Sequence, residues 1–239
     1  MGDDIQYPDH FITRLHTVWG EGFLSPGGPE EVAEIVRGID LSGKVVLDIG
    51  FGTGGPAVTL AKSHHAEKVI GIDVEAQLRD HASQLVERSG LADRIELQIV
   101  EPGPFSFADE TFDVVFSKDS MIHIEGKLAM FQEVMRVLKP GGVFVASDWL
   151  SGEGEDAEVA LEQYRKVSHL HFTPANASEM AAELAKAGFL DIETRDRNAW
   201  YATVCAQELE HIEGPLKQQL VDAVGEEIYT HWLGVRGGL

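Results

Sequence analysis

The sequence predicts an α/β fold: a mostly parallel, doubly wound sheet with a helical lid before it and a helical insertion after the fifth strand. Two observations carry this. Short apolar runs alternate with amphipathic helical stretches from Lys44 to Trp149, and strands that read as near-continuous apolar runs belong to sheets covered on both faces. A glycine-rich turn, GFGTGG, joins the first run to the helix after it, the place where open α/β sheets receive a ligand.

Each element has its own signal. PDHFITRLHTVWGEGF opens with Pro8, suited to a first helical turn, and sets Phe11, Leu15 and Val18 on one stripe. SPGGPEEVAEIVRGI repeats the pattern, with Pro29, then Glu30 and Glu31 in the first turn, then Val32, Ile35, Val36 and Ile39 on one face. Strands follow at KVVLDIG, KVIGID, IELQIV, FDVVFSKD and GGVFVASDWL, with a sixth expected at LDIETRDR. Between them lie PAVTLAKSH, EAQLRDHASQLVERSG closed by Gly90, and KLAMFQEVMRVL, whose Leu128, Phe131, Val134, Met135 and Leu138 are spaced for burial. After Trp149 come an acidic loop, the helical VALEQYRKVSHLHF, the helix NASEMAAELAKAGF, and further helical sequence from Asn198.

Composition narrows the function. Forty acidic and nineteen basic residues give a formal charge of −21. Such a surface repels nucleic acid and anionic membranes and attracts cations, although the same charge also serves solubility or a salty habitat. No apolar run approaches a membrane span, and MGDDIQYPDHF lacks a signal-like core. The single cysteine, Cys205, leaves no intrachain disulfide or multi-cysteine metal site. A cytoplasmic protein is expected.

GFGTGG satisfies G-x-G-x-x-G through Gly50, Gly52 and Gly55. Alone this is weak: the glycines can serve only a tight turn, and the pattern admits a dinucleotide. Asp48, two residues before Gly50, suits an ammonium better than a pyrophosphate. Asp73, ending the second strand, can take both ribose hydroxyls of either a dinucleotide or an adenosyl cofactor. FDVVFSKDSMIHI, followed by FQEVMRVLKPGGVFVASD, adds a strand, a polar crevice turn, a helix and an L-K-P-G-G turn.

With those residues in place, the chain resembles the class I S-adenosylmethionine-dependent methyltransferases, which have a Rossmann-like fold, over roughly its whole length. VWGEGFLSPGG, LDIGFGTGG and FSKDSMIHI resemble the phosphoethanolamine N-methyltransferases and their small-amine relatives. The resemblance implies one methyltransferase domain over 1–239, with a lid at 1–40, a cofactor-binding core at 41–150, an acceptor-side insertion at 151–175 and a C-terminal part at 176–239. It implies S-adenosyl-L-methionine as cofactor, S-adenosyl-L-homocysteine as product, and a small polar amine as acceptor.

Residue by residue, the resemblance puts Tyr7 and His123 at the family's catalytic Tyr–His pair and Asp119 at the anchor for the substrate ammonium. Tyr7, Leu24, Ser25, Gly50, Asp73, Val74, Glu101, Pro102 and Lys118 fall at cofactor positions, to which Asp48 and Gly52 are added from their place in the motif. Trp149, Tyr164 and Phe172 fall where the family lines its acceptor pocket; aromatic faces suit a methylated ammonium, and core packing is the plain alternative.

Several positions depart from the family pattern. Leu15 stands where a second lid tyrosine is common, Lys118 where arginine is usual, Glu101 where aspartate is usual, and Phe51 where a small residue is usual. The arginine and C-terminal lysine that grip a phosphate in relatives have no clear match, so an unphosphorylated amine or amino acid competes with phosphoethanolamine. Rival readings are O-, S- or C-methylation on the same fold, an NAD-dependent oxidoreductase, and a non-catalytic cofactor binder. No metal is expected: His64–His65 and the His169–His171 run lack ligand spacing and carboxylate company. The sequence does not fix an oligomeric state.

Overall fold

The computed structural model of the chain describes residues 7–167 and 172–236. Five strands, β1 Val45–Ile49, β2 Lys68–Asp73, β3 Ile95–Ile99, β4 Phe112–Lys118 and β5 Leu138–Ser147, form one sheet in the order β3-β2-β1-β4-β5. Every pairing in it is parallel. The chain moves outward from β1 through β2 to β3, then returns to the other side of β1 for β4 and β5. That reversal leaves a crevice above the carboxyl ends of β1 and β4.

The pleat sends alternate residues to opposite faces, and each face has its own core. On one side Val46, Val69, Val114 and Phe116 pack against Val32, Ile35 and Val36 of α2 (Gly28–Ile35 and its C-cap), against Ala57, Leu60 and Ala61 of α3 (Gly55–Lys62), and against Val86 of α4 (Leu78–Arg88). On the other side Leu47, Ile49, Ile72 and Val115 meet Met130, Phe131, Val134 and Val137 of α5 (Lys127–Val137) and Met180 of α7 (Ala177–Ala187). The α5 stripe is rotated from the sequence expectation: Met130 and Val137 are buried, while Leu128 and Met135 are half-buried. α7 begins with a complete capping box, Asn176 with Glu179.

A third cluster lies outside the sheet. Ile212 of α8 (Asn198–Glu213), Leu220 of α9 (Lys217–Val224), and Tyr229 and Trp232 of α10 (Glu226–Arg236) pack with Val18 of α1 (Asp9–Trp19). Buried Arg14 lies between the Phe11 and Trp232 rings, 4.6 and 4.7 Å from their centroids. The Trp19 indole donates to buried Glu208 at 2.5 Å. The lid helix is thereby anchored on the C-terminal helices.

The expected sixth strand does not form among the described residues. Residues 190–197 pair with no strand, and Leu190 is 85% exposed. Asp191, Glu193, Arg195 and Arg197 leave this stretch little apolar surface to bury. Its arginines reach α2 instead: Arg195 donates to the Glu34 carbonyl at 3.2 Å, and Arg197 pairs with Glu31. No described helix is long and apolar enough to cross a membrane.

Candidate active site

The crevice above β1 and β4 opens into a cavity of about 940 Å³. Its floor is the glycine turn. Gly50 has φ 78°, and a Cβ there would stand 2.3 Å from Cβ of Ser120, so this position needs glycine for both conformation and space. Ser117 and Ser120 hydroxyls both donate to the Ile49 carbonyl, at 3.0 and 2.8 Å, stapling the exit of β4 to the end of β1. The lid meets the same turn at a glycine pair. Gly55 N–H donates to the Gly22 carbonyl at 2.9 Å, and a Cβ on Gly55 would sit 2.5 Å from that oxygen.

Asp73 closes one side. Its Oδ2 accepts from Gly52 N–H at 2.9 Å and its Oδ1 from Glu75 N–H at 3.0 Å. Burial raises its pKa, opposed by those two hydrogen bonds. Val74 beside it is half exposed, at 52%. Glu101 and Pro102, after β3, begin a loop over the next part of the cavity. Arg136 of α5 holds that loop down, donating to the carbonyls of Phe105 at 3.0 Å and Phe107 at 2.7 Å while pairing with Glu133 and Asp109.

The far wall comes from the exit of β4. Buried Lys118 donates to Asp119 Oδ2 at 2.7 Å and to the lid hydroxyl of Ser25. Asp119 has φ 54°, rare for a residue with a side chain; Ser147 steadies it, accepting Asp119 N–H at 2.9 Å through its carbonyl and donating Oγ–H to Oδ1 at 3.1 Å. Strain of this kind persists where surroundings over-determine the backbone, and it clusters at functional sites. Tyr7 Oη and His123 Nε2, both in the cavity lining, stand 3.5 Å apart. The lid end of α1 is fixed separately, by His16 Nε2 and Thr53 Oγ1 at 2.9 Å. Burial, then the charge of His81, lowers the His16 pKa.

Of the residues picked out from sequence, Tyr7, Leu24, Ser25, Gly50, Gly52, Asp73, Val74, Glu101, Pro102, Lys118, Asp119 and His123 line this one cavity. Three do not. Asp48 is 1% exposed, its carboxyl has no hydrogen-bond partner among the described residues, and burial followed by the charge of Asp73 raises its pKa to about 8. Strand alternation explains its place: Asp48 shares the Val46 face of β1, beneath the turn, while Ile49 faces the cavity. Trp149 stacks edge-on against Tyr201 at 4.5 Å. Phe172 lies against the His123 ring at 5.1 Å rather than in the cavity lining. The Tyr164 side chain and the His169–His171 run lie outside the described residues.

Sequence reasoning missed Ser120, Ser147, Glu133 and the 103–107 loop. A signal existed for one of them: Glu133 and Arg136 are spaced i, i+3 on α5 and pair at 2.7 Å. Asp73, Glu75, Glu101, Asp119, Glu125 and Glu133 make the lining acidic, and Lys118 is its one lysine or arginine among the described residues. The arrangement can hold a cationic, partly apolar ligand at the glycine turn and a second cation beside Asp119.

Comparison with known proteins agrees in fold and reach. A family profile described as "Methyltransferase domain" matches residues 46–142. Phosphoethanolamine N-methyltransferase 3 of Arabidopsis thaliana is 31% identical over 234 residues, covering 97% of this chain and 46% of that protein. The phosphoethanolamine N-methyltransferase of Plasmodium falciparum is 26% identical, covering 86% of this chain and 76% of that one. The solved structure of Haemonchus contortus phosphoethanolamine N-methyltransferase 2 with phosphomonomethylethanolamine and S-adenosylhomocysteine superposes with a TM-score of 0.87 at 25% identity, covering 99% of this chain and 55% of that one. The chain's Rossmann-like α/β fold is that of the class I methyltransferases to which it is similar. It is related to the phosphoethanolamine N-methyltransferases, and it spans about half the length of the plant relatives it matches.

Proposed function

We propose that the chain catalyses S-adenosylmethionine-dependent methylation of the nitrogen of a small polar amine. One observation carries the reading: the Tyr7–His123 pair and Asp119 line one acidic cavity together with the glycine turn and Asp73. The residues present fit the cofactor. Asp73 offers carboxylate oxygens for a ribose, the turn approaches closely enough to require glycine at 50, and the lining offers carboxylates rather than the cations a pyrophosphate would want. Leu24, Ser25, Gly50, Gly52, Asp73, Val74, Glu101, Pro102 and Lys118 would hold it, with Tyr7 closing the lid; Asp48 would act only from beneath the turn.

When bound, S-adenosylmethionine supplies a methyl group already activated on a sulfonium. The chain's own task is to present a neutral nucleophile. An aliphatic amine has a pKa of about 10, and exposing its lone pair near pH 7 costs on the order of 4 kcal/mol. Asp119, fixed by Lys118 and Ser147, anchors the ammonium. His123 Nε2 accepts a proton from the amine, and Tyr7 Oη, 3.5 Å away, relays it or locks the lid. Closing the lid over the pair excludes water and fixes the approach of the nucleophile.

For the acceptor, the named relatives point to phosphoethanolamine and its methylated forms. A second reading, an unphosphorylated amine or amino acid, is favoured by one observation: Lys118, the lone lysine or arginine of the described lining, is committed to Asp119 and Ser25. The formal charge of −21 supports a small cation rather than nucleic acid as partner. A cytoplasmic location completes the reading. Calorimetry tests it: S-adenosylhomocysteine should bind at micromolar concentration and NAD should not. Binding of NAD alone would replace this function with an oxidoreductase.

A further inference from the structure

The 3₁₀ turn Met121–His123, which carries the proposed base, is gripped from outside the cavity. The ammonium of Lys127, the first residue of α5, donates to three backbone carbonyls: Met121 at 2.9 Å, Ile124 at 2.9 Å and Thr173 at 3.0 Å. Its three N–H donors match these three acceptors, two on the turn and one on the segment after the insertion. Thr173 completes the grip. Its N–H donates to the Ile122 carbonyl at 2.8 Å, and its hydroxyl lies 3.1 Å from the same oxygen. Just past β5, the half-buried Asp148 carboxyl takes the Ile122 and Trp149 N–H groups and faces Lys127 electrostatically. Phe172, next to Thr173, lies on the His123 ring at 5.1 Å.

We infer that Lys127 is a positioning residue: by tying the Met121–Ile124 turn to Thr173, it holds the His123 ring between Phe172 and Tyr7. The inference rests on the role proposed for His123. Burial lowers the pKa of Lys127, opposed by Asp148, while burial and then the charge of Asp119 raise that of Asp148 to about 8. A half-buried ammonium with its three donors spent on carbonyls serves geometry rather than proton transfer. Two chain segments separated by α5, β5 and the helical insertion are thereby locked at one point, directly behind the proposed base.

The test has two arms. In the first, the imidazole resonances of histidine-labelled protein are recorded, with His123 assigned by its loss in His123→Ala. Lys127→Met, and the milder Thr173→Val, should move or broaden the His123 resonance while leaving that of His64, on the far side of the sheet core, in place. An unchanged His123 resonance in both variants overturns the inference. In the second arm, methyl transfer to phosphoethanolamine and to ethanolamine is measured alongside S-adenosylhomocysteine affinity. Lys127→Met should lower kcat about tenfold or more, as expected for a misplaced catalytic group, with the affinity unchanged within about twofold. In a His123→Ala background the same change should cost nothing further, because Lys127 acts through His123. An equal, additive loss in that background overturns the inference by marking a general structural role. Full activity in His123→Ala with a shifted resonance in Lys127→Met overturns instead the assignment of His123 as base, and the structural grip stands.

Discussion

The two ends of the crevice are built by different means. At the glycine turn the site is backbone: Gly50 and Gly55 are in place because no side chain fits, and Asp73 is fixed by two main-chain N–H groups. At the exit of β4 the site is side chains from distant parts of the sequence, with Tyr7 facing His123, Lys118 reaching Ser25, and Lys127 reaching Thr173. The first construction tolerates little change at Gly50 and Gly55. The second can be rebuilt residue by residue around a new acceptor while the first stays as it is.

The comparison can be broken at either end. The largest expected effect is at the acceptor end: His123→Ala should lower turnover by about 10²–10⁴-fold, with S-adenosylhomocysteine affinity preserved by calorimetry. Equal losses of turnover and affinity would merge the two ends into one. At the cofactor end Asp73→Ala should weaken S-adenosylhomocysteine binding by about tenfold or more, since a charged acceptor is removed and Gly52 and Glu75 N–H groups lose their partner. Gly50→Ala should lower stability by about 2 kcal/mol or more in a denaturant titration, combining left-handed strain with the contact to Ser120.

A pH series sharpens the cofactor end. Asp48 has an ordinary pKa of 3.8 and a folded value of about 8. Between those values the folded state holds the proton more tightly than the unfolded state, so stability falls as pH rises, and levels off above about pH 8. Asp48→Asn removes that titration, so the loss of stability between pH 5 and 8 should shrink by an amount on the order of 1–3 kcal/mol. An identical slope in the variant would mean Asp48 ionises freely. The smallest effect is expected at Leu190→Asp, within about 0.5 kcal/mol of the parent, because the side chain is 85% exposed. A large loss there would restore the missing sixth strand.

What the sequence made legible follows the same division. VVLDIGFGTGG encodes a buried strand, a turn and a helix entry within a few residues, and KVIGID ends its strand on an acid, so local pattern suffices to place Gly50, Gly52 and Asp73 around one cavity. Lys127, by contrast, looks like any helix-entry lysine until Thr173 is brought beside it. Ser147 becomes relevant only once β5 pairs with β4 and sets it against Asp119. Asp48 misled because the motif gives its distance from Gly50 but not the face of the strand to which it points. LDIETRDR misled because alternation suggests a strand even where five of the eight residues are charged and α2 offers the two arginines partners.

Label transfer from S-adenosylmethionine to a panel of phosphoethanolamine, ethanolamine, glycine derivatives and other small amines tests the central claim most directly. Label should appear on the nitrogen of at least one of them, at a rate about 10²–10⁴-fold lower in His123→Ala. Protein that binds S-adenosylhomocysteine yet labels no amine, or labels oxygen, sulfur or carbon instead, would contradict that claim.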